Sequence, residues 1–128
     1  MKRFICKGKI HKATVTEANL NYPGSITIDR DLMKAVGILP YEMVQITNFR
    51  NAVRWKTYAI PGVADSGVIC LNGPPAHLFT KGDQVVILCI GIFDEDELHE
   101  VKTKVAYVDE WNKITTLAEN PLTDLWED

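Results

Sequence analysis

What constrains this chain most is its punctuation. Runs of β-branched and aromatic residues only a few positions long are separated by Gly, Pro, Asn or Asp clusters at a spacing of roughly 8 to 12 residues. The runs Lys9–Val15, Ser25–Ile28, Met43–Phe49, Val53–Ile60, Val68–Leu71, Val85–Ile92 and Val101–Val108 read as strands. Only small helices are expected between them. About six or seven short strands with small flanking helices close their edges best as a β-barrel, and the fold class expected is mainly β. At 128 residues the chain has room for one core and is read as a single domain, 1–128.

The local signals are specific enough to be checked. Asp29 is an N-cap for a helix over Arg30–Val36, with Leu32, Met33 and Val36 on its buried stripe and Gly37 as its stop. Arg50-Asn51-Ala52 joins two runs as a hairpin without the usual glycine. In an extended Lys9–Val15, the side chains of Lys9, His11, Ala13 and Val15 share one face. In Val53–Ile60, Arg54, Lys56 and Tyr58 face opposite to Trp55, Thr57 and Ala59, so a site using Arg54, Thr57 and Tyr58 together requires a bulge or strong twist. Val85–Ile92 is continuously apolar and is expected in the core; Asp94–Glu97 is a solvated loop or helix start; the tail from Glu119 to Asp128 is expected to be loosely attached.

Charge and cysteines remove whole classes of function. A net charge of −3 argues against a protein built to grip phosphate backbones. Cys6, Cys70 and Cys89 are odd in number and widely spaced, which fits buried thiols in a reducing compartment rather than disulfides or a zinc site. His11, His77 and His99 stand apart from one another without close acidic or thiol ligands, so no metal is expected. The apolar start is broken by Lys7 and Lys9, and the longest apolar run falls well short of the roughly 20 residues that span a bilayer. A cytoplasmic protein with no membrane and no nucleic-acid partner is expected. G-x-S-x-G, P-loop and G-x-G-x-x-G patterns are absent.

The remaining feature is Tyr22-Pro23-Gly24-Ser25. Pro at the second position and Gly at the third predict a type II turn with positive φ at Gly24, leading into the strand that begins at Ser25. Downstream lie Arg54, Thr57, Tyr58 and Asn72, a set able to bind a carboxylate and handle protons. Lys9-x-His11, Tyr22-x-Gly24-Ser25-Ile26-Thr27-Ile28-Asp29, Arg54-x-x-Thr57-Tyr58 and Val68-Ile69-Cys70-Leu71-Asn72-Gly73 together resemble the motifs of the aspartate 1-decarboxylases, pyruvoyl-dependent enzymes of pantothenate synthesis. The likeness covers roughly residues 1 to 95 in the family's order and spacing.

That resemblance implies a double-psi β-barrel, a homotetramer, and a proenzyme that cuts itself between Gly24 and Ser25 into chains 1–24 and 25–128. Serine attack on the preceding carbonyl gives an ester, and elimination and hydrolysis leave a pyruvoyl group at position 25. That group does the work of pyridoxal phosphate, holding L-aspartate as a Schiff base while carbon dioxide leaves and β-alanine forms. The resemblance further implies that Thr57 assists self-cleavage, Arg54 binds the substrate carboxylate, Tyr58 donates a proton, and Asn72 and Gly73 line the pyruvoyl group. Lys9 and His11 would add positive potential at the mouth, and a maturation factor is a further partner to test for. Pro74 and Pro75 stand at substrate-lining positions where the family usually carries alanines, and neither can donate a backbone hydrogen bond. The rival reading is a non-catalytic small β-barrel, an interaction module or an unprocessed relative.

Overall fold

The computed structural model describes residues 1–126. Nine strands among these residues form one mixed sheet: β1 (Lys2–Thr14), β2 (Glu17–Asn19), β3 (Ser25–Asp29), β4 (Met43–Asn48), β5 (Arg54–Gly62), β6 (Ile69–Asn72), β7 (Gln84–Asp94), β8 (Lys102–Val108) and β9 (Ile114–Pro121). Their order is β2-β6-β3-β5-β4-β7-β1-β8-β9. β1 runs on into β2, so one stretch of chain pairs with β7 and β8 at one side of this order and with β6 at the other, and between them Thr16 N–H donates to the Ile69 carbonyl at 2.8 Å, which curls the sheet round. The fold is thus a mainly-β barrel with small helices, as the spacing of turn signals predicts.

The barrel is filled by Ile10, Ile26, Ile28, Ile46, Ile69, Leu71, Phe79 and Ile87, all fully buried. The helix α1 (Arg30–Val36) plugs one end with Leu32, Met33 and Val36. Asp29 caps it as expected, accepting from the Asp31 N–H at 2.8 Å, and Gly37 closes it with φ +77°. The second Asp29 oxygen accepts from the Gly67 N–H at 2.9 Å, so one buried carboxylate also anchors the turn before β6. Ala52 takes φ +60° where glycine is usual in the β4–β5 hairpin.

Four expectations are corrected. The sheet has nine strands among the described residues, because Glu17–Asn19 and Ile114–Pro121, short or largely polar, gain their order from partners β6 and β8. Residues 119–121 are therefore paired with Lys102–Lys104, and a 3-10 turn follows over Leu122–Trp126, so this part of the tail is attached; Glu127 and Asp128 lie outside the described residues. In β7 the continuous apolar run is only half core: Val85, Ile87 and Cys89 are buried, while Ile90 and Ile92 are exposed, because a strand turns alternate side chains outward whatever their polarity. In β1 a register shift between Ile10 and Ala13, with Lys12 at φ +59°, turns Ile10, Ala13 and Val15 inward and separates His11 from Ala13.

Candidate active site

Ser25 is the first residue of β3 and is buried. The antiparallel ladder sets it opposite Asn72 of β6, and Thr27 opposite Cys70, so four polar side chains share one face. The Asn72 side chain joins them: its Nδ2 donates to Ser25 Oγ at 2.9 Å and to Thr27 Oγ1 at 3.0 Å, and its Oδ1 accepts from Cys70 Sγ at 3.1 Å. Burial is the main cause that pushes the Cys70 thiol up to about 11, with the Glu17 carboxylate adding to it, so the thiol keeps its proton. Thr27 and Cys70 belong to motifs visible in the sequence, but nothing in the sequence signals that they meet Asn72.

The segment leading to the Gly24–Ser25 bond sits against Gly73. Gly73 has φ +78° and ψ −139°, and its N–H donates to the Asn19 carbonyl at 2.7 Å. A Cβ at Gly73 would lie 2.9 Å from the Tyr22 carbonyl oxygen and 3.0 Å from the Gly24 nitrogen, so only glycine lets β6 approach the 22–24 segment this closely. The expected type II turn is absent: Gly24 is not among the glycines with positive φ, and the chain reverses earlier, at Leu20–Asn21, where the Asn21 N–H bonds the Asn19 side chain. The left-handed residue is Gly73, across from the bond. Pro74 and Pro75 begin a 3-10 turn (Pro74–His77), and Pro74 Cδ lies 3.9 Å from where a Cβ on Gly24 would sit.

Register decides which other predicted residues join this face. The parallel β3–β5 ladder begins at Ile26–Ala59, so Tyr58 is level with Ser25 and shares its face, while Thr57 is level with Gly24 and is buried on the opposite, inward side. Tyr58 stacks on Tyr41, with ring centroids 5.7 Å apart at 29°. The bulge required to bring Arg54 to Thr57 and Tyr58 is absent: the β4–β5 register runs unbroken from Met43–Tyr58 to Thr47–Arg54. Arg54 therefore lies four residues, about 13 Å, along the strand from Tyr58.

Lys9 and His11 lie on β1, separated from β3 in the strand order by β7, β4 and β5. Among the described residues, Lys9, His11 and Arg54 make no hydrogen bond or ion pair to Ser25, Asn72 or Gly73. The His11 ring packs edge-on against Tyr107 at 5.5 Å and Phe49 at 6.3 Å, and its Nδ1 is buried without a partner. Burial, followed by the charges of Lys9 and Lys12, lowers the His11 pKa, so at neutral pH the positive potential on β1 comes from the lysines rather than from His11. The carboxylates of Asp94, Asp96 and Glu97 approach within 4.8 Å of one another, but on the exposed turn after β7, where Asp94 and Glu97 form a capping box.

The aspartate decarboxylase family model matches residues 1–115. A protein of Carboxydothermus hydrogenoformans named aspartate 1-decarboxylase is 53% identical over 116 residues, covering 91% of each chain. Proteins of the same name from Bacillus cereus strain G9842 and Heliobacterium modesticaldum are 53% and 51% identical over 114 residues, covering 89% of this chain and 90% and 86% of theirs. With a family match across most of its length and relatives above half identity, the chain belongs to the aspartate decarboxylase family.

Proposed function

We propose that this chain is a proenzyme that cuts itself between Gly24 and Ser25, and that the product converts L-aspartate to β-alanine and carbon dioxide, the supply of β-alanine for pantothenate. The observation that carries this reading is the Asn72 Nδ2–H donating to Ser25 Oγ at 2.9 Å. An N–H donor on the hydroxyl oxygen stabilises negative charge as that oxygen loses its proton. Ser25 Oγ bonds to the Gly24 carbonyl carbon, the C–N bond breaks as the nitrogen takes the proton, and an ester links the two chains. Loss of the residue 25 Cα proton expels the Gly24 carboxylate, and water then replaces ammonia to leave the pyruvoyl group. Thr57, two residues before the Ala59 that opens the β3–β5 ladder opposite Ile26, assists by donating to the Gly24 carbonyl oxygen.

The residues present fit such a group: Ser25 supplies its atoms, Asn72 offers N–H donors to them, and Gly73 leaves room beside them. A carbonyl at position 25 would bind the substrate amine covalently and accept the electron pair that carbon dioxide leaves behind. Tyr58, on the same face as Ser25, donates the proton that completes β-alanine. Arg54 pairs with the substrate carboxylate through its planar fork, and Lys9 draws an anion toward a net-acidic protein. Asn72, Gly73, Pro74 and Pro75 line the group and the substrate, with His11 near the mouth.

The separation of Arg54 from Tyr58 along β5 supports a site completed by a second copy, in a homotetramer. An outward apolar groove lined by Phe4, Met43, Leu88, Ile90 and Ile92 supports the same assembly. Among the described residues no helix is long and apolar enough to cross a membrane; a cytoplasmic location is part of this reading and is supported by three widely spaced cysteines suited to a reducing compartment. Intact-mass analysis is the test: fragments 1–24 and 25–128 are expected from the parent chain and none from Ser25→Ala. Borohydride should then trap aspartate on fragment 25–128. A cut chain that traps no aspartate would favour a non-catalytic barrel, and a chain that stays whole even with candidate maturation factors would end the self-processing reading.

A further inference from the structure

The polar face of the β3–β6 ladder holds two groups that the proposed chemistry does not use, the Thr27 hydroxyl and the Cys70 thiol, and only the thiol bonds the Asn72 oxygen. An amide side chain has two orientations of nearly equal shape, and only its hydrogen bonds choose between them. As observed, both Asn72 Nδ2 hydrogens go to hydroxyls, at 2.9 Å from Ser25 Oγ and 3.0 Å from Thr27 Oγ1, and Oδ1 faces Cys70 Sγ at 3.1 Å. Turned by half a rotation, Oδ1 would hold the Ser25 proton and present a lone pair to the charge developing on Oγ, while Nδ2 would face a thiol that accepts only weakly. We propose that Cys70 is a positioning residue for cleavage at Gly24–Ser25, its S–H holding the Asn72 amide so that the N–H groups face Ser25 and Thr27.

The inference rests on the self-processing reading above. Ser25, Asn72 and Cys70 are all buried, so water does not substitute for a missing donor. Burial keeps Cys70 protonated at neutral pH, with the charge and hydrogen-bonding of the Glu17 carboxylate across the β2–β6 pair adding to it, and the Asn72 Oδ1 accepts from the thiol at 3.1 Å. Cys70 touches no reacting atom and acts only through Asn72.

The test is the rate at which fragment 25–128 appears by intact mass after the protein is folded. Cys70→Ser keeps a donor, whereas Cys70→Val fills the volume without one and Cys70→Ala lacks both. The Val and Ala variants are expected to cut about three- to tenfold more slowly, and the Ser variant within about twofold of the parent, at matched circular dichroism. In an Asn72→Ala background, removing the thiol should slow cutting no further, since the two act as one unit. Val cutting at the parent rate, Ser as slow as Val, or the same loss in both backgrounds would each overturn the role of Cys70. A parent chain that never cuts would overturn self-processing itself, which separates the two failures.

Discussion

At Gly73, conformation and contact act together. Its φ of +78° falls where side-chain-bearing residues are strained, and a Cβ there would press on Tyr22 and Gly24. Gly73→Ala is expected to cost roughly 1–2 kcal/mol of stability and to slow the proposed Gly24–Ser25 cleavage by at least about tenfold, read by urea unfolding and intact mass. An alanine variant that cuts at the parent rate would show that the close approach is not required. His11 offers a second check. Its ring protons should titrate below the ordinary 6.5, and Lys12→Ala should raise that pKa by removing a neighbouring positive charge; an NMR titration at or above 6.5 would contradict the burial seen here. Asn72 and Gly73 were legible as a motif, but the left-handed residue was expected at Gly24, because Pro-Gly is the stronger local turn signal and long-range packing is invisible to it.

At the scale of elements, the loop after the 3-10 turn is tied to the β4–β5 hairpin by one buried carboxylate. Asp83 accepts from Arg50 Nε at 2.9 Å and Nη2 at 3.0 Å, from Asn48 Nδ2 at 2.8 Å and from the Thr80 N–H at 2.9 Å. The Arg50 hydrogen bonds hold its pKa well below the ordinary 3.8. A depressed carboxylate contributes stability above its unfolded pKa, and that contribution fades as pH falls through about 4 toward the folded value. Asp83→Asn should therefore lower stability at pH 7 and flatten its decline between about pH 5 and 2, measured as urea midpoints. Equal slopes in variant and parent would remove Asp83 from the acid limb. Helix α1 was legible to the residue because its cap, stripe and stop are all local. The β1 bulge at Lys12 was not, since period-2 alternation assumes an unbroken ladder.

For the whole molecule, strand alternation leaves Phe4, Met43, Ile90 and Ile92 on the outer surface, with Phe4 paired to Ile92 across β1 and β7. A patch of this kind destabilises an isolated barrel in water and favours association. If the proposed tetramer forms through this patch, Ile92→Glu is expected to shift the sedimenting mass toward smaller species and to lower decarboxylase activity in proportion, while leaving the proposed cut at Gly24–Ser25 in place. An assembly unchanged by that charge would move the proposed interface elsewhere.

By itself the sequence determined the mainly-β class, the capped helix over Arg30–Val36, the β4–β5 hairpin and the set of residues that mark the family, because each is written in local propensity or in a motif of fixed spacing. Only the tertiary structure decided that Ser25 meets Asn72, that Cys70 and Thr27 complete that network, that Gly73 rather than Gly24 carries the unusual backbone, and that Arg54 stays four residues down the strand from Tyr58. These depend on register between strands distant in sequence. Register is set by burying Ile26, Ile28, Ile69 and Leu71 together, and no window of the chain contains that constraint.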